Sequence, residues 1–306
     1  MTTTSTIIVG NAPVSWGIYG PTNPPVPYKR FLDELVAAGY QGTELGPYGY
    51  FPTDPAALKK ELSQRNLTLG SSYVGLPLES AQKRQASIDE CLSVAALLST
   101  QGVGEVIVAD DDHDERMLIA GRVPKDGSAG WSNAEWNEAA TTLNEIGRAL
   151  RAKFNMRVVV HHHVGTMIET PAELEKMLAL TDPELVNLLI DTGHVVYGGG
   201  DPVDMVKTFG PRIRYVHLKD VKRDELENVR KSNIGMRDAW KRGVFCPLGE
   251  GVVDFPRFME ALKGRSYSGW ALVEQDVVAD EHGKLNPDPF LCAKQSRQYL
   301  KDKVGI

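Results

Sequence analysis

A single (β/α)8 barrel is the fold class that the sequence predicts, and three observations predict it. Short apolar runs alternate with amphipathic stretches through eight strand–helix units. Several of those runs are continuously apolar, as strands are when helices cover one face and packed side chains fill the other. A length of 306 residues suits one such barrel, whereas an open doubly wound sheet usually has fewer strands.

The units follow in order. "TIIVGNAP" reads as strand one, and "YKRFLDELVAAG" as a helix closed by Gly39. Strand two is the short "GTELG"; the helix "DPAALKKELSQRN" follows, with Asp54 as N-cap and Pro55 at the first helical position. "LTLGSSYV" and "SAQKRQASIDECLSVAALLST" make the third unit. "GEVIVADDD" is strand four, and a polar loop over about 110–131 separates it from "SNAEWNEAATTLNEIGRALRAKF". In that helix Ser132 and Glu135 have the spacing of a capping box. "RVVVHHH" precedes "TPAELEKMLALT", and "VNLLIDTGH" precedes "DPVDMVKTFG". "RYVHLKD" is strand seven, followed by an irregular stretch over about 221–251 and then "DFPRFMEALKG". "GWALVEQD" and a helix near "DPFLCAKQSRQYLKD" close one domain spanning 1–306. No G-x-G-x-x-G or G-x-x-x-x-G-K-[ST] follows any strand.

A composition of 42% hydrophobic and 24% charged residues is that of a globular protein with a sizeable core. The formal charge of −6 argues against nucleic acid or an anionic membrane as partner, since their binders carry basic footprints. Three scattered cysteines, Cys91, Cys246 and Cys292, favour reduced thiols over a disulfide framework. "MTTTST" lacks the charged and apolar regions of a signal peptide, and no apolar run approaches the ~20 residues of a membrane span. The expectation is a cytoplasmic protein with a small-molecule substrate; a homo-oligomer is left open.

In such a barrel functional side chains gather at the C-terminal strand ends. Those ends carry Glu44, the run Asp110 to Asp112, His161 and His163, Asp191 and His194, His217 and Lys219, and Glu274 and Asp276. Side chains alternate along a strand, so His161 and His163 share one face and His162 takes the other. Each residue alone has a plain reading: Asp191 as an N-cap, His217 as a core imidazole, Glu274 as the ion-pair partner of Lys219, the three aspartates as a solvated loop. Together, carboxylates and imidazoles ending four consecutive strands call for neutralisation by a divalent cation. The mixed set His161, Asp191, His217 and Glu274 suits manganese, cobalt, iron or zinc better than calcium.

The strings "NAPVSWG", "GTELGPYGYFP", "HHHVGT", "DTGH" and "HLKD" together span nearly the whole chain. On them the sequence resembles the xylose-isomerase-like barrel superfamily, and within it the inosose dehydratase branch of inositol catabolism. The resemblance implies a metal-dependent hydro-lyase that removes water from a keto-polyol such as 2-keto-myo-inositol. The alternative it leaves is an epimerase or isomerase of a keto-sugar on the same metal site. It implies ligands at the ends of strands five to eight, and Asp191, His217 and Glu274 fall on the last three. Where a superfamily string reads Glu-Asn-His-x-Gly, this chain has His161, His162, His163, Val164 and Gly165. His161 is then the expected ligand, with His163 as the other choice. Manganese or cobalt is the expected metal, with zinc, iron or magnesium as alternatives.

With His replacing a carboxylate, the symmetric pair of an epimerase is gone, and an elimination needs an asymmetric base and acid. Glu274 and Glu44 are the candidate bases. Lys219 and His163 are the candidate acids, and Lys219 could instead stabilise an enolate. Asn11, Trp16, Tyr48 and His194 are the expected substrate contacts, with Tyr19 and Tyr50 completing aromatic walls suited to the C–H faces of a polyol.

Overall fold

The computed structural model describes residues 6–306; Met1–Ser5, most of the segment read above as lacking a leader, lie outside them. Its ring strands are β1 (Ile7–Asn11), β2 (Gly42–Thr43), β3 (Thr68–Leu69, then Tyr73–Leu76), β4 (Glu105–Asp110), β5 (Arg157–His161), β6 (Val186–Asp191), β7 (Ile213–Leu218) and β8 (Gly269–Val273). Every neighbouring pair is parallel, and β8 pairs back onto β1 with Val273 opposite Asn11. The predicted eight-stranded α/β barrel is what the chain forms.

Closure depends on the interruption in β3. Gly70 N–H donates to the Thr43 carbonyl at 2.8 Å and Ile107 N–H to the Ser72 carbonyl at 3.1 Å, so the bent segment still bridges β2 and β4. A side chain at Gly70 would place its Cβ 2.3 Å from Tyr215 Oη and 3.2 Å from the Trp270 ring. Glycine is what lets these two aromatics fill the lumen there.

The outer helices are set by their caps. Gly39 takes φ 89° behind Tyr28–Ala38, and Asp54 accepts from Ala57 N–H at the start of Pro55–Ser63. Reciprocal capping boxes open Asn133–Phe154 (Ser132 with Glu135) and Pro171–Leu180 (Thr170 with Glu173).

Two segments expected to be loops contain structure of their own. The β4 loop holds a short helix, Asp114–Ile119. Beyond β7 come an antiparallel pair, Asp220–Val221 with Phe245–Cys246, and two helices, Arg223–Lys231 and Met236–Lys241. "RDELENVRK" is too charged to announce a core, yet its Leu226 and Val229 pack with Met117, Met236, Ala239 and Phe245 into a satellite cluster. The β4 and β7 loops thus bury each other's few apolar residues, an arrangement local sequence does not encode. All three cysteines are free and buried. Among the described residues no helix is long and apolar enough to cross a membrane.

Candidate metal centre and cavity

The lumen contains a packed apolar layer of Ala12, Ile107, Val159, Leu189, Tyr215 and Leu272. A strand returns to the same face every second residue. Two positions beyond Val159, Leu189, Tyr215 and Leu272 stand His161, Asp191, His217 and Glu274. The four are buried, and each offers a ligand atom within 4.8 Å of the others. Strand parity alone therefore lifts the predicted tetrad onto one floor.

Asp191 answers both of its sequence readings. Its Oδ1 caps the helix Thr192–Tyr197 by accepting from His194 N–H at 2.9 Å. Its Oδ2 has no hydrogen-bond partner and faces His161 Nε2 and His217 Nδ1 at 3.8 Å and Lys219 Nζ at 3.4 Å. His217 Nε2 meets Glu44 Oε1 at 2.7 Å; a carboxylate accepts there, which turns Nδ1 towards Asp191 and towards Glu274 Oε2 at 3.2 Å. Asp191 Oδ2 and His217 Nδ1, buried without hydrogen-bond partners, face His161 and Glu274 from the flanking strands; this set fits a divalent cation, and His161, Asp191, His217 and Glu274 can hold one.

The charges are strongly interdependent. Burial would raise the Glu274 carboxyl, but His217 and Lys219 outweigh it and hold it down at about 2. Burial would lower His217, but Glu274 and Glu44 outweigh it and push it up to about 10. Asp191 is likewise held well below the usual carboxylate range, burial being outweighed by Lys219 and the nearby imidazoles. Lys219 is kept cationic against its burial by Asp191, Asp276 and Glu274. Its ammonium lies 3.1 Å from Glu274 Oε2 and 3.0 Å from both Asp276 Oδ1 and His194 Nε2. Gly193 makes room for it: a Cβ there would meet Lys219 Cγ at 2.7 Å.

Above the floor opens a cavity of about 390 Å³. Glu44, His161, His163, Lys219, Glu274 and Tyr48 line it. His163 Nδ1 lies 2.8 Å from the Val164 carbonyl, which can only accept, so Nδ1 is the donor there.

Three expected substrate contacts need correction. Trp16 is fully buried, packed edge-on against Phe31 at 4.8 Å with Nε1 donating to Glu34, because the 3-10 turn Pro13–Trp16 swings it back under the barrel wall. Asn11 has the parity of Val9, opposite to Ala12, and lies outside the lumen beside Tyr40. His194 is buried behind the cavity wall as the partner of Lys219. Tyr50, expected on the same wall, gives its hydroxyl to the Val26 carbonyl and packs on Phe51. Tyr19 does reach the cavity. Residues not anticipated also line it: Tyr73, whose ring meets His161 at 5.8 Å, and Trp240, whose Nε1 donates to Asp276 Oδ2 at 3.2 Å. Alternation in "LTLGSSYV" would have set Tyr73 with Leu67 and Leu69 in the outer core, and the break after Leu69 turns it inward instead; nothing local to "MRDAWK" pointed Trp240 at the mouth.

His162 is outward and buried, and burial lowers it to about 3, so it is neutral. Its Nε2 accepts from the Asp191 backbone N–H at 3.2 Å. His162→Ala would leave that buried donor unpaired and is expected to destabilise by about 1–3 kcal/mol in a denaturant titration; unchanged stability would show the bond to be dispensable.

A family model described as "Xylose isomerase-like TIM barrel" matches residues 32–302. Among curated proteins, an inosose dehydratase of Bacillus anthracis is 30% identical over 99% of this chain and 99% of its own. Among solved structures, the probable 3-DHS dehydratase AsbF of Bacillus anthracis is 18% identical with a TM-score of 0.70, covering 98% of this chain and 100% of that one. A structure titled as IOLI protein with a binding zinc atom is 13% identical with a TM-score of 0.68, covering 98% of each. Those two structures bear on the fold; the family follows from the matched model and the full-length relative. The chain belongs to the xylose isomerase-like TIM barrel family, and it is an enzyme of the dehydratase kind.

Proposed function

We propose that the protein is a metal-dependent hydro-lyase that removes water from a cyclic keto-polyol of the inosose class, as a step in inositol catabolism. The observation that carries this reading is the asymmetric proton equipment around the floor: no second free carboxylate faces the cavity from β5, where His161 stands. The full-length inosose dehydratase relative supports the substrate class. His161, Asp191, His217 and Glu274 are the proposed ligands, with manganese or cobalt as the metal.

Bound there, a divalent cation supplies Lewis-acid polarisation of a ketone oxygen. The chain's own groups then divide the rest. Glu274 is tied to His217 and Lys219 and is a weak base; Glu44 is tied to His217 and acts by positioning it. His163 lines the cavity with Nδ1 held by the Val164 carbonyl, which leaves Nε2 as the nitrogen that takes the proton α to the ketone and returns it to the departing hydroxyl. Lys219, held cationic, steadies the oxygen on which negative charge develops. Tyr19, Tyr48, Tyr73 and Trp240 offer flat faces to the ring's C–H groups and exclude water.

The test is mass analysis after incubating manganese-loaded protein with 2-keto-myo-inositol. Loss of one water with new ultraviolet absorbance is expected; an isomer of unchanged mass would make the enzyme an epimerase instead. His163→Ala is expected to keep its metal yet lose both turnover and exchange of the α-proton with solvent. Surviving exchange would move the base to Glu274.

A further inference from the structure

We propose that Glu79, Asp110 and His113 form a second divalent-cation site, outside the barrel lumen, which ties together the loops that follow β3, β4 and β5. Asp110 ends β4 with the parity of Val106 and Val108, which pack in the main core between sheet and helices; Ile107 faces the lumen. Its carboxylate therefore lies on the opposite side of the sheet from His161. Its Oδ2 lies 3.0 Å from His113 Nε2 and accepts from Met167 N–H at 2.9 Å, in the loop beyond β5. Its Oδ1 is buried and has no partner, and Glu79 Oε2, after β3, is buried without one as well. The three residues offer ligand atoms within 4.8 Å of one another.

Two buried carboxylate oxygens without donors, on residues that offer ligand atoms to one common point, are an arrangement that a cation relieves. A set of two oxygens and one imidazole nitrogen suits zinc or manganese, with water completing the shell. The His113 side chain remains 18% exposed, which gives an ion a way in. The other mixed group, His163, His194 and Asp276, is not comparable, because the Lys219 ammonium already sits between its last two members. The rival chemistry at Asp110 is a proton shared with Glu79.

The experiment is metal content per chain, by elemental mass spectrometry, of protein stripped with chelator, reconstituted with zinc and freed of excess. The wild type is expected to hold two zinc ions per chain. Asp110→Asn and His113→Ala should each lose one while keeping the lumen ion, and Asp191→Asn should lose the other. His113→Ala keeps the Asp110–Met167 bond, so a folding failure of the Asp110 variant does not decide the matter. A wild type holding one ion that Asp191→Asn removes would overturn the proposal in favour of the shared proton. Variants at Asp110 and His113 that bind as much zinc as the wild type would overturn it too. A failure of the lumen reading is separable, since Asp191→Asn alone would then leave the count unchanged.

Discussion

Asp191→Asn and His217→Gln are expected to lose the lumen cation and to lower kcat/KM by on the order of 10²–10³-fold or more, the scale of removing one preorganised charge-stabilising group. The two substitutions are chosen for what they retain. Asn is as good an N-cap as Asp, so the bond from His194 N–H survives while Oδ2 becomes an amide nitrogen, which cannot ligate. Gln can still donate towards Glu44, which would otherwise be buried and unpaired. Alanine at either position would confound metal loss with folding, because Lys219 and Glu44 would lose buried partners. Metal content and far-ultraviolet circular dichroism measured on the same samples check the result. A folded Asp191→Asn protein with its full metal content would remove Asp191 from the ligand set.

Trp16→Ala is expected to cost about 3–5 kcal/mol of stability, as truncations of buried aromatics do. The ring is fully buried, its edge meets Phe31, and its Nε1–H is bonded to Glu34 at 2.6 Å. The same change is expected to leave the Michaelis constant of the surviving folded protein nearly unaltered, because the ring does not reach the cavity. Tyr48→Ala is the contrast: half exposed on the cavity wall, it should alter the Michaelis constant with a small effect on stability. Denaturant midpoints and steady-state kinetics on both variants separate the cases. A large rise in the Michaelis constant for Trp16→Ala with unchanged stability would return Trp16 to the substrate wall.

What could be read in the sequence followed from two local periodicities. Apolar runs separated by amphipathic stretches determined the barrel, because the run, its caps and the following helix are each written in adjacent residues. A period of two then puts His161 with His163, Asp191 beyond Leu189, His217 beyond Tyr215, and Glu274 beyond Leu272; a strand end in a barrel has one inward direction, so the tetrad was legible before any contact was known. The same rule left Asn11 open, because both faces of "IIVGNA" are apolar, and only Ala12 in the lumen turns Asn11 outward. Only the tertiary structure decided matters that depend on chain returning from afar. Trp16 has no strand parity, and the turn that buries it is set by packing on Phe31 of the next helix. His194 was separated from the cavity by Lys219, a residue on another strand that needs three carboxylates from two further strands to stay charged when buried. Trp240 reached the mouth because charged helices with few apolar residues found their core in the β4 loop rather than in themselves. Local sequence specifies which way a side chain leaves its own element; which partner it meets is set by long-range closure of the barrel, and on that the division of roles among the histidines rests.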